Sequence, residues 1–109
     1  MTAVFVGNVG DQANVMPIVP TSGQTISIPE QPTDVAIWLE PATDLATLTI
    51  NMPSIPKGNS AYIGCSKNVL ALTLVATGGS IFNTLVALTG GDLVGFMHFG
   101  AQVWARHAV

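Results

Sequence analysis

Few residues of this chain carry groups that could do chemistry, and their spacing limits what that chemistry could be. The histidines are His98 and His107. They fall on adjacent predicted strands of a terminal hairpin, where the rings could approach each other. With Asp92 they would make a metal site or an acid–base pair. The competing reading of His98 is a hydrogen-bonded interface residue, because Phe96, Met97 and Phe99 surround it. His107 is near the C-terminus, where chain ends are often loosely held. Cys65 is the only cysteine, which excludes an intrachain disulfide and a cysteine-based metal cluster. With Lys67 as its only basic neighbour, it reads as a small buried hydrophobe rather than a reactive thiol. Asp34, Glu40 and Asp44 are spaced as corner and surface residues, and no loop has the form of a calcium site. No Ser-His-Asp spacing, phosphate-cradling glycine loop or carboxylate pair stands out. The expectation is a protein with no catalytic residue, no metal and no cofactor. Trp38, Tyr62 and Trp104 could offer stacking surfaces to a host glycan, or simply pack. Their exposure decides between the two.

Composition points towards assembly. The chain has 109 residues, 49% of them hydrophobic and only 8% charged, against about a quarter charged in a typical soluble domain. One domain of this size buries a limited share of its surface. Part of the apolar surface is therefore expected to lie against other chains. A net charge of -3, with three basic residues, argues against a nucleic-acid partner. The first residues lack a basic segment followed by an apolar run, so no signal peptide is read. No charge falls between Lys67 and Asp92, a run long enough to cross a bilayer. Gly78-Gly79-Ser80 at its centre, with Asn83 and recurring threonines, reads better as two strands around a Gly-Gly turn. No membrane partner is expected.

The elements that must position these residues read as short strands between turns. Leu45 to Met52 alternates, with Ala46, Leu48, Ile50 and Met52 on one face and Leu45, Thr47, Thr49 and Asn51 on the other. Pro53 to Asn59 breaks it. Ser60 to Cys65 and Val69 to Thr77 follow as strands, and Val35 to Leu39 precedes them. Ala3 to Val6 and Thr25 to Ile28 are further short strands, while Val9 to Pro20 reads as irregular. Prolines this frequent confine the early strands to edges or to contacts with neighbouring chains. Leu93 to Phe99 alternates, with Val94, Phe96 and His98 on one side. Gly100-Ala101 turns the chain into a closing strand, Gln102 to His107, as a tight hairpin. No window carries a helical stripe. Thr33-Asp34-Val35-Ala36 faintly echoes Thr43-Asp44-Leu45-Ala46, too briefly to count as a repeat. The fold class expected is all-β: a small antiparallel β-sandwich, jelly roll or barrel-like domain. Residues 1–32 form an N-terminal arm with short strands, and 33–109 the β-structural domain. The arm either lies along a partner or packs on its own domain.

The run Leu39, Pro41-Ala42, Leu45 to Ile50, Pro53, Pro56 and Gly58 resembles a segment common in tailed-phage virion proteins. Leu72-Thr73-Leu74, the glycine-rich turns and the final Trp104-Ala105-Arg106 are similar to its continuation. The resemblance covers Val35 to His107 and departs at Ile81 to Leu88, where the pattern has a proline-containing loop. It implies a β-rich, often trimeric module of a tail fibre, a spike or a capsid surface. A short β domain suits a capsid decoration, or cement, protein that clamps neighbouring capsid subunits. A small tail fibre, spike or baseplate component is the alternative. On this reading the partners are other copies of the chain and the major capsid protein, and the protein resides on the virion. The candidates for core or subunit contact are Leu48, Ile50, Met52, Leu70, Leu72, Leu74, Phe96 and Trp104. Val4, Phe5 and Val6 are the candidates for capsid contact, by strand addition at an edge.

Overall fold

Alternating apolar residues and frequent turns build an all-β chain. A computed structural model describes residues 14–107, and the expected first strand at Ala3 to Val6 and the candidates Val4, Phe5 and Val6 lie outside the described residues. Nine strands follow in order among the described residues: β1 (Asn14–Ile18), β2 (Thr25–Ser27), β3 (Val35–Leu39), β4 (Leu48–Asn51), β5 (Ser60–Cys65), β6 (Leu72–Val75), β7 (Ser80–Phe82), β8 (Leu93–His98) and β9 (Val103–Arg106). They form a six-stranded sheet, β1-β3-β5-β8-β9-β7, and a three-stranded sheet, β2-β4-β6. No helix of the described residues is long and apolar enough to cross a membrane, and the charge-free run holds β6 and β7 instead.

The antiparallel expectation is corrected by the pairing. β1 with β3, β3 with β5, β2 with β4, β4 with β6, and β7 with β9 are all parallel. Among the nine described strands, only β5 with β8 and β8 with β9 pair antiparallel, beside a single antiparallel bridge of Val69 with Leu88. From β1 to β6 the chain alternates between the two sheets. Each strand of the large sheet is followed by one of the small sheet, and the next pair lies beside it in the same direction. The result is a stack of three coils. Thr25, Thr49 and Thr73 are successive rungs of the small sheet, 24 residues apart. Leu45 and Val69 make a third, single-residue parallel contact at the same spacing. The connections between these strands are six to eight residues long, a length that also suits hairpins, which is why turn spacing alone points to the wrong pairing. A parallel pair needs a longer crossover, and here a strand of the opposite sheet is part of it.

The core lies between the sheets. Val35, Ile37, Leu39, Ala61, Ile63 and Cys65 reach it from the large sheet, and Ile26, Leu48, Ile50 and Leu72 from the small one. Phe96 and Trp104 close it at the hairpin end, where β8 and β9 form the tight antiparallel pair that the sequence predicts. Two expected strands are broken by corners. Leu45 is buried while Ala46 is exposed, so the alternation fails there. The amides of Ala46 and Thr47 instead donate to the Ser22 hydroxyl of the previous coil. Val69 to Thr77 splits likewise into a bridge at Val69 and β6. Gly78-Gly79 does turn the chain, but into the other sheet rather than back along β6.

The segment read as irregular contains β1, and its Pro17 is tolerated because β1 is an outer strand among the described residues. β1 and β2 fall in the stretch expected as an arm, and both are hydrogen-bonded into the sheets.

Candidate functional site

Strand alternation sorts the chemistry-bearing residues onto two faces. In β3, Val35, Ile37 and Leu39 face the core, which turns Ala36 and Trp38 to the outer side of the large sheet. In β5, Tyr62 and Gly64 face outward by the same rule, and in β8 so do Leu93, Gly95 and Met97. Two glycines make room for rings. A Cβ on Gly64 would come within 2.5 Å of the Trp38 six-membered ring and 3.3 Å of Leu93. A Cβ on Gly95 would meet Tyr62 at 2.7 Å and His107 at 2.8 Å. Tyr62 and His107 are parallel to within 8°, with ring centroids 6.0 Å apart. The Ser60 hydroxyl and His107 Nε2 are 3.0 Å apart, and the Ser60 amide donates to Asp34 Oδ1 at 2.8 Å. A strip thus runs across the outer face from Trp38 through Tyr62 to His107, Ser60 and Asp34.

The strip brings a serine, a histidine and an aspartate together, but not as a catalytic triad. Asp34 holds the Ser60 amide, not the imidazole. Ser60 is only 3% exposed, so its oxygen is not presented to a substrate. What the contacts do is tie the segment after β9 to β5 and the corner before β3.

His98 lies on the opposite face. It is buried and stacks on Trp104 at 4.7 Å between centroids. Its Nε2 accepts from the Gln102 amide at 3.3 Å, which leaves the proton of the neutral ring on Nδ1. That Nδ1 is buried with no partner among the described residues. Gln102 continues the network: its Oε1 accepts from Trp104 Nε1, and its side-chain amide donates to the Pro53 carbonyl. The two histidines therefore face away from each other across the sheet, and the imagined His98–His107–Asp92 group does not form. Asp92 accepts from the Thr89 amide, closing a turn. Among the described residues no three metal-binding side chains come together. Cys65 is buried, its thiol donates to the Thr89 carbonyl, and burial, followed by the nearby Asp92 charge, pushes its pKa up. A cleft of about 230 Å³ between Leu74, Ala76, Gly79, Ser80, Ile81 and Thr84 carries no ionisable group.

The residues expected at core or subunit contacts divide by burial. Leu48, Ile50, Met52, Leu72, Phe96 and Trp104 are all buried within the single chain, and Leu74 packs against them. Leu70 is 64% exposed and so has no place in that core. It sits at the corner between Val69 and β6, where the chain bends. The other exposed large apolar residues are Val19, Phe82, Val86, Leu93 and Phe99. Of the three possible stacking residues, Trp104 is fully buried while Trp38 and Tyr62 are half-buried on the outer face.

Reading residues singly misses the grouping of Asp34, Ser60 and His107. The available signal is the Thr33-Asp34 and Thr43-Asp44 echo. Both aspartates accept a backbone amide from the next coil, Asp34 from Ser60 and Asp44 from Asn68. Comparison with protein-family models, with curated proteins and with solved structures finds no match.

Proposed function

We propose that this chain is a non-enzymatic structural component of a phage virion, a capsid decoration protein that assembles as a homotrimer and stabilises the outer capsid surface. The observation that carries this reading is the unequal treatment of the two ends of the coil stack. One end is partly covered by the β8–β9 hairpin and by the antiparallel contact of Val69 with Leu88, with β7 and β6 as the outer strands there. At the other end, β1 and β2 are the outer strands of the two sheets among the described residues. An outer parallel strand can offer backbone donors and acceptors to a partner strand, and the major capsid protein is the partner in this reading. Six large apolar side chains exposed among the described residues, on a chain with 8% charged residues, support burial against other copies. Repetition over a capsid lattice multiplies weak contacts through avidity.

The hairpin at that end favours a second reading, the distal end of a tail fibre or spike, because a stack of coils needs a terminal cap. Light scattering of the purified protein, followed by co-sedimentation with empty capsid shells and with isolated tails, tests both. The expected result is a trimer that sediments with shells. A trimer that sediments with tails alone moves the protein to the second reading. A monomer that sediments with neither overturns both.

A further inference from the structure

We infer that the outer face of the large sheet, along the strip Trp38–Tyr62–His107–Asp34, binds a neutral saccharide. The rings come first. Trp38 lies over Gly64 and Tyr62 lies beside Gly95, each so close that a methyl group on the glycine would collide with it. Both rings are half-buried, Trp38 against Gly64 and Tyr62 against Gly95 and parallel to His107, so each keeps part of its surface in solvent. Such a ring is already fixed, so a ligand that stacks on it costs little side-chain entropy. Trp38 on β3 and Tyr62 on β5 are diagonal neighbours in the parallel register, about 8 Å apart from the strand spacing and rise.

The polar atoms come second. Trp38 Nε1, the Tyr62 hydroxyl and the second carboxylate oxygen of Asp34 have no hydrogen-bond partner among the described residues, and none of them is buried. Two unburied donors and a carboxylate acceptor, set among aromatic rings, match a molecule that is apolar on its faces and hydroxylated at its edges. That is the chemistry of a pyranose. Charge narrows the class. Asp34 is the one charged side chain in the strip, on a chain of net charge -3, so a carboxylated or phosphorylated sugar is repelled. Trp104, fully buried on the other face, takes no part. The site stands apart from the assembly reading, since it needs neither a second copy nor an outer strand edge.

The test is isothermal titration of the full chain with cellotetraose, maltotetraose, chitotetraose and sialyllactose, alongside tryptophan emission. At least one neutral oligosaccharide should bind and shift the emission, while sialyllactose does not. Trp38→Ala should abolish binding. Tyr62→Phe should weaken it about tenfold, as expected for one hydrogen bond. Asp34→Asn keeps an oxygen for the Ser60 amide, so it should weaken binding without lowering the melting temperature. It serves as the check if Trp38→Ala unfolds. Failure of all three neutral sugars to bind overturns the assignment. Equal binding of sialyllactose, or undiminished binding by folded Trp38→Ala or Asp34→Asn, does the same. So does an emission that shifts with protein concentration alone, which would mean that another copy covers the face. The solution mass of the variants stays that of the parent chain, which keeps this result separate from the assembly test.

Discussion

Trp104 and Trp38 sit on opposite faces of the same sheet, and strand register alone sets the difference. Trp104 shares a rung with His98 and Ile81 and is sealed in the core. Trp104→Ala should cost about 3–5 kcal/mol, the usual loss for a large aromatic side chain deleted from a core. Urea denaturation measures it, and a loss under about 1 kcal/mol would place Trp104 outside the core. Cys65 gives a pH dependence of known sign. Burial and Asp92 raise its folded pKa, so above the ordinary thiol range the folded state holds the proton that the unfolded state has released. Stability should therefore be complete at neutral pH and fall as pH climbs past the unfolded thiol value. Denaturation curves of the parent and of Cys65→Ala across that range, with the difference taken, isolate the effect. The folded thiol should also resist a disulfide reagent that modifies it readily in urea. Rapid modification without denaturant would show the side chain to be exposed.

Individual strands were largely legible, and the corners between them were not. The sequence places strands at Val35 to Leu39, Ser60 to Cys65 and Leu93 onwards, and β3, β5 and β8 occupy those positions. Each is a compact apolar or alternating run bounded by glycine or proline, so local chemistry suffices. β1 escapes notice because Pro17 argues against a strand, while an outer strand, as β1 is among the described residues, tolerates a missing donor. The corner at Gly78-Gly79 shows a constraint that only neighbours impose. Gly78 has a positive φ of 78° and open space around it, whereas a Cβ on Gly79 would lie 1.8 Å from the Gln102 carbonyl oxygen. Gly78→Ala should cost about 1 kcal/mol of backbone strain. Gly79→Ala should cost more than twice that, because backbone must move and the β7–β9 contact moves with it. Thermal melts of the two variants provide the comparison, and equal losses would place β7 elsewhere.

For the molecule as a whole, the question is which apolar residues serve the chain and which serve its neighbours. Leu72 and Leu70 are two positions apart, yet one is 4% exposed and the other 64%. Leu72→Asp would bury an uncompensated charge and should abolish folding. Leu70→Asp should leave the melting temperature within a degree or two and reduce self-association, as read by light scattering. If Leu70→Asp unfolds the chain, or if Leu72→Asp stays folded and assembled, the division between core and surface is wrong. The coil spacing of 24 residues was present in the sequence as Thr25-Ile26-Ser27, Thr49-Ile50-Asn51 and Thr73-Leu74-Val75. It stayed hidden because the rungs share little beyond a threonine and an apolar neighbour, and the large sheet keeps a looser spacing, 21 residues from Asn14 to Val35 and 26 from Val35 to Ala61.

What the sequence by itself determined was local: an all-β chain, the positions of most turns, and the two faces of the alternating runs around Leu48 and Phe96. Leu48 and Ile50 could be placed on one face, and Phe96 on another, because side chains in a strand alternate with a period of two, while Trp104 stayed open between core packing and a stacking role. Only the tertiary structure decided which strands are neighbours and in which direction they run. Alternation is the same in a parallel and an antiparallel ladder, so it carries no information about the partner. For the same reason the sequence could bring His98 and His107 close on a shared hairpin, while the folded chain sets them on opposite faces. It left Asp34, Ser60 and His107 scattered, and the stacking of coils brought them into one strip.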